Sequence, residues 1–148
     1  LEAFLRTTVS SEEPVLPDLS QLDVDHIMPR SWMTHWPLAD GSPVTAVETA
    51  AVEMLSRSGL PLNERQKQIS DREAGISTLG NLSLLNLKVN RAAQNFEFTR
   101  KRDLLIANTN LRLNVPLISL QSWSEANIAK RSEQLADVAL RIWPRPRL

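Results

Sequence analysis

The chain contains no cysteine, which excludes disulfides, thiolate-held zinc and cysteine nucleophiles. It has four glycines, and none forms the Gly-rich pattern that cradles phosphates in P-loop nucleotide hydrolysis. There is no tyrosine and there are three phenylalanines, so nothing resembles an RNA-stacking platform. No apolar run approaches the roughly 18 residues of a membrane span, and no signal peptide is expected at the start. The formal net charge is zero, from 17 basic and 17 acidic side chains. Taken alone, that total argues against a nucleic-acid partner.

What is present is the composition of a folded protein. The 148 residues suit one domain and are ample for a buried core. With 42% apolar and 23% charged residues, the chain is not of the disordered class. The neutral total is also a cancellation. Residues 1–87 hold 6 basic and 12 acidic side chains, whereas residues 88–148 hold 11 and 5. Charge asymmetry between halves points to a polyanion-binding surface, although two solvated faces that happen to differ would give the same count. Leu1 in place of Met suggests a piece of a longer protein.

Residues 1–20 pass from Leu1, Phe4 and Leu5 into Ser10, Ser11, Glu12, Glu13, Pro14 and Pro17. This composition reads as a linker or N-terminal extension, with the domain proper at 21–148. Residues 22–27 alternate apolar with polar, which predicts a short strand closed by Pro29. Ser42-Pro43 predicts the cap and first turn of a helix. Its stripe is Val44, Val47, Ala51, Met54 and Leu55, with Gly59 at its end. Residues 60–76 are polar and read as a loop with room for one helical turn.

Residues 79–85 predict a second strand, and Asn86 is placed to cap a helix through Lys88, Asn90, Arg91 and Ala93. A further helix is expected from about 96 to 107, carrying Arg100-Lys101-Arg102. Residues 108–116 are rich in Asn and close with a proline, so they read as loop or extended chain. Ser122 with Glu125 matches a capping box. Ile128, Leu135, Val138, Ala139 and Ile142 then form one apolar stripe up to Pro144. The expected class is α+β, mostly helical.

Only two histidines are available for chemistry, His26 and His35. A lone histidine is more often structural than catalytic, but His26 has informative neighbours. In a regular strand Asp25 and His26 point to opposite faces. They can serve one site only where the strand breaks, as Pro29 favours. Together they offer a hard oxygen ligand for Mg²⁺ and a base with a pKa near neutrality. Asn81 and Asn90 add amide oxygens that can bind a hard cation or fix an imidazole tautomer. Asn86 is better explained as a cap. His35 lacks a carboxylate at ligand spacing and is set aside. Trp32, Trp123 and Trp143 are expected in the core, since tryptophan is largely buried on average.

Asp25-His26 at a strand end, Asn81 opening a second strand and Asn90 on the next helix resemble the ββα-metal core of HNH (His-Me finger) endonucleases. Residues 23–31 also look like the catalytic strand in the HNH domain of the RNA-guided CRISPR nuclease. A closer resemblance is to the C-terminal nuclease domain of GmrSD-type, modification-dependent (type IV) restriction endonucleases. That family shows His-Ile-x-Pro, Gly-Asn-Leu-x-Leu-Leu, a following Asn, a later Lys, and a helix with an Arg that ends in Ile-Trp. Here these are His26 to Pro29, Gly80 to Leu85, Asn90, Lys101, Arg131 and Ile142-Trp143. The likeness covers roughly residues 22–143.

The resemblance implies a metal-dependent DNA endonuclease domain, nicking or cleaving, of a bacterial restriction and anti-phage defence protein. It implies an HNH core with a helical insertion between the two strands, at residues 31–76, and extra C-terminal helices. His26 would be the general base, Asn81 would orient it and brace the loop, and Asp25 and Asn90 would hold one Mg²⁺ or Mn²⁺. Arg91 and Lys101 would contact nucleic-acid phosphates. Arg100, Lys101 and Arg102 cannot all face one groove, and the family has a lysine at about 101. The expected partners are DNA and an N-terminal regulatory nucleotide-hydrolysing domain, in the bacterial cytoplasm, with no membrane. The alternative is a catalytically inactive HNH-like nucleic-acid-binding module, whose binding would be insensitive to EDTA.

Overall fold

The computed structural model describes residues 1–7, 18–86 and 95–144. At its centre two strands pair antiparallel, β1 (Leu22–His26) and β2 (Leu82–Asn86). The register sets Asp25 opposite Ser83 and His26 opposite Leu82. Cross-strand partners share a face and successive residues alternate, so Asp25 lies on the face of buried Ser83 and His26 on the other. The strand ends at His26, three residues before Pro29, as the sequence predicts.

The second strand begins later than the sequence suggests, because Leu79–Asn81 forms a 3-10 turn. The Gly80 amide donates to Ser132 Oγ at 2.9 Å, and the Gly80 carbonyl accepts from the Arg131 guanidinium. Those groups are therefore occupied by a helix rather than by the ladder.

Among the described residues the helices are α1 (Glu2–Thr7), α2 (Ala46–Arg57), α3 (Glu64–Ile76), α4 (Phe98–Asn108), α5 (Val115–Ile118) and α6 (Glu125–Ile142). Four boundaries differ from the sequence-based expectation, each for a local reason. Thr45, not Ser42, caps α2 by accepting from the Glu48 amide. Ser42 instead hydrogen-bonds Asp40 across a turn in which Gly41 has φ 81°. Residues 60–76, expected as loop, are largely α3, started by a reciprocal capping box between Asn63 and Gln66. Residues 112–118 form a 3-10 turn and α5 rather than extended chain, and Pro116 sits in the first turn, where its missing N–H is not needed. Finally, Ser124 and Asn127 form the capping box of α6, not Ser122 and Glu125.

The core contains Met28, Trp32, Ile69, Leu117 and Ile128, all fully buried or nearly so. Trp36 and Trp123 are buried too, but Trp143, expected inside, lies just past the end of α6 and is 66% exposed. The insertion between the strands is fastened by Arg72 of α3. Its guanidinium donates to the Trp36 and Pro37 carbonyls, pairs with Glu125 of α6 and lies 4.6 Å from the Trp32 ring centroid. At the N-terminal end, buried Glu2 accepts from the amides of Arg112 and Leu113 at 2.9 and 2.8 Å, which docks α1 on the 3-10 turn Arg112–Asn114. The helix expected directly after β2 lies outside the described residues. Among those residues, no helix is long and apolar enough to cross a membrane.

Candidate active site

The chain leaves β1 through a turn that is fixed from behind by one amide side chain. Asn81 is fully buried. Its Oδ1 accepts from the Met28 amide at 2.9 Å and from Trp123 Nε1 at 3.1 Å, while its Nδ2 donates to the Met28 and Ile76 carbonyls. Its own backbone carbonyl accepts from the Ile27 amide. Asn81 thus braces the loop after His26. Both donor hydrogens and both acceptor positions of its amide are committed to other groups, so it makes no direct hydrogen bond to the His26 imidazole.

Beside this turn, the Lys101 ammonium reaches in from α4. It donates to Asp25 Oδ2 at 3.1 Å and to the His26 carbonyl at 2.7 Å. Lys101 is only 3% exposed, so it is turned away from solvent rather than presented to a phosphate. Burial lowers its pKa, and the Asp25 carboxylate opposes that effect. The half-buried His26 imidazole is lowered first by burial and then by the Arg30 cation. Asp25 pulls the other way, and Lys101 adds a smaller lowering. The sum favours a neutral ring, the form that accepts a proton. Asp25 Oδ1 has no hydrogen-bond partner among the described residues, and the side chain retains 19% exposure.

A model of the family described as GmrSD restriction endonucleases, C-terminal domain, matches residues 2–138. The chain belongs to that family. No curated protein and no solved structure gives a significant match.

Within this GmrSD C-terminal domain, the motif residues carry distinct physical duties. Gly80 passes so close to α6 that a Cβ would collide with the Ile128 carbonyl and Ser132. Arg131 is buried, and its guanidinium donates to the carbonyls of Gly80, Leu82 and Leu113 at 2.5, 2.7 and 3.3 Å. Burial pulls its pKa down to about 10, which leaves it charged at neutral pH. The neighbouring cations are separated by α4. Arg100 is exposed, Lys101 is buried, and Arg102 is turned to the Leu120 carbonyl and Gln121.

Asn90 and Arg91, expected as metal ligand and phosphate contact, lie outside the described residues. Among the described residues no group of three or more His, Cys, Asp or Glu side chains is placed to hold a metal ion. Two contributors are not marked by the sequence pattern. Arg30, a cation four positions after the histidine, acts on the His26 imidazole. Trp123 packs in the core and also completes the Asn81 amide with its indole N–H.

Proposed function

We propose that this domain hydrolyses DNA phosphodiesters with His26 as general base, using one divalent cation, Mg²⁺ or Mn²⁺, held by Asp25 and Asn90. The observation that carries this proposal is that His26 is the last residue of β1, where the alternation of faces ends, with its neutral-leaning imidazole within the field of the Asp25 carboxylate and Lys101 joining Asp25 to the His26 carbonyl. A carboxylate oxygen suits a hard cation. A bound divalent cation would neutralise charge developing on the leaving oxygen. His26 would take the proton from the attacking water. Lys101 would position the site, holding Asp25 by one oxygen and the end of β1 by the His26 carbonyl. Asn81 would keep residues 27 and 28 rigid. Products with 5′-phosphate and 3′-hydroxyl ends are expected. In the whole protein, a nucleotide-hydrolysing N-terminal domain would regulate the cutting, in the bacterial cytoplasm.

Plasmid cleavage with and without Mg²⁺ or Mn²⁺ tests this. Wild type should nick or cut only with the metal, and His26→Ala should lose about 10²- to 10⁴-fold, the usual contribution of a general base. Asn90→Ala should require more metal for the same rate. Equal cleavage by wild type and His26→Ala overturns the mechanism. DNA binding unaffected by EDTA, with no turnover in any divalent metal, would instead identify an inactive binding module.

A further inference from the structure

If the site cuts DNA, something must hold the phosphates, and the lysine expected to do so is engaged elsewhere. Lys101 is buried against Asp25 and the His26 carbonyl. Among the described residues, the exposed cations nearest this site in the chain are Arg30 and Arg100. Arg30 follows the buried Pro29 on the loop fastened by Asn81, so its backbone is held while its side chain stands in solvent. It has no ion pair or hydrogen bond among the described residues, yet its charge reaches His26. Arg100 sits beside Lys101 in the first turn of α4. Its guanidinium lies 3.6 Å from the Phe96 ring centroid and forms no ion pair among the described residues.

Stacking on an aromatic face restrains an arginine without using its in-plane N–H groups. Those groups remain free for the bidentate contact that a phosphate offers. Among the described residues, Arg102 is engaged by Leu120 and Gln121, and Arg131 by three carbonyls. We propose that Arg30 and Arg100 form the phosphate-binding site of this domain, Arg30 at the phosphate nearest His26 and Arg100 at a neighbouring one. The proposal rests on the nuclease assignment, which it deepens by naming the residues that hold the substrate backbone.

The test separates binding from cutting. Binding of a labelled DNA duplex by the full chain in EDTA is measured over a salt series, because each neutralised phosphate contributes a slope of about −0.9 in log K against log salt. Arg30→Gln and Arg100→Gln should each flatten the slope by about 0.9 and the double variant by about twice that. Lys130→Gln, on the exposed face of α6, should leave it unchanged. Arg30→Lys should keep the slope while lowering single-turnover cleavage at saturating DNA, since the charge remains but the fork is lost. Melting curves matching wild type establish that each variant is folded. Wild-type slopes in both glutamine variants overturn the proposal. Cleavage surviving in His26→Ala overturns the nuclease mechanism while leaving the slopes to judge the arginine pair independently.

Discussion

His26 owes its character to groups the chain brings from three places. Burial at the end of β1 and the Arg30 and Lys101 cations disfavour its charged form, and Asp25 alone favours it. Its pKa is therefore below the ordinary value of 6.5. The folded protein keeps this ring neutral at pH values where the unfolded chain would already bind a proton. The sign follows directly. Below 6.5 the unfolded state binds more protons, so stability falls as pH drops through that range, and the neutral ring that the proposed mechanism uses is lost only below the depressed value. Ring-proton NMR of the metal-free protein should give His26 a midpoint below 6.5, and Arg30→Gln should move it back toward 6.5. A wild-type midpoint at or above 6.5 would show that Asp25 outweighs burial. With only two histidines in the chain, His35→Gln assigns the signals. Asn81 shows the opposite case. Its amide type suggested partnership with the imidazole, but its fully buried side chain is saturated by Met28, Ile76 and Trp123.

The 3-10 turn Leu79–Asn81 couples the sheet to α6, and Gly80 is where the two backbones meet. An added methyl there would press on the Ile128 carbonyl and Ser132, so the turn, with the Arg131 contacts around it, would have to move. Gly80→Ala should cost on the order of 3 kcal/mol, the upper range for overpacking. Urea unfolding should show a lower midpoint at unchanged slope. A change under 1 kcal/mol would mean the turn yields freely. Helix α6 is legible because its burial follows its periodicity, and β1 because its alternation ends just before a proline. The stripe through Ile128 and Leu135 points where the structure buries it, whereas in β1 the alternation marks the strand but not its buried face, since Val24 is exposed. Helix α3 is not legible, because its buried face is Ile69, Arg72 and Ile76. An arginine occupies the middle of that stripe, and nothing in a single sequence marks it as internal. The α6 cap lies two residues later than the Ser122–Glu125 signature suggests, because the box closes with Asn127 instead of a Glu or Gln, which leaves Glu125 for Arg72. Asp25 and His26 were visible because they are adjacent. The placement of Lys101 was not, since its partners are some 75 residues away and only the fold joins them.

At the scale of the whole molecule, charge is sorted by burial rather than by position in the chain. The basic half includes Lys101 and Arg131, which are spent inside the fold. The acidic half supplies exposed Arg30 beside the candidate base. The division at residue 88 is therefore compatible with a polyanion surface but does not say which cations would form it. Arg72 has a different global role, because it ties the insertion to the rest of the domain. Its contacts span the loop at Trp36 and Pro37, the Trp32 ring, and Glu125 on α6. Removing the guanidinium with Arg72→Met would leave the buried Trp36 carbonyl and the Glu125 carboxylate without their partner. Breaking such a buried pair costs about 3–5 kcal/mol, and the lower end applies because Glu125 keeps 34% side-chain exposure. The informative measurement is whether unfolding stays in one step. Tryptophan fluorescence reports strongly on Trp32 and Trp36 in the insertion, whereas far-UV circular dichroism reports on all helices. In wild type the two transitions should coincide, as they do for a single cooperative unit. In Arg72→Met the fluorescence transition should move to lower denaturant and precede the loss of helix, because the insertion loses its tie to α6 while that helix keeps its contacts with Gly80 and Leu113. Coincident transitions in the variant would mean that α3 is held to the body by its apolar contacts alone, with Arg72 adding stability but not cooperativity.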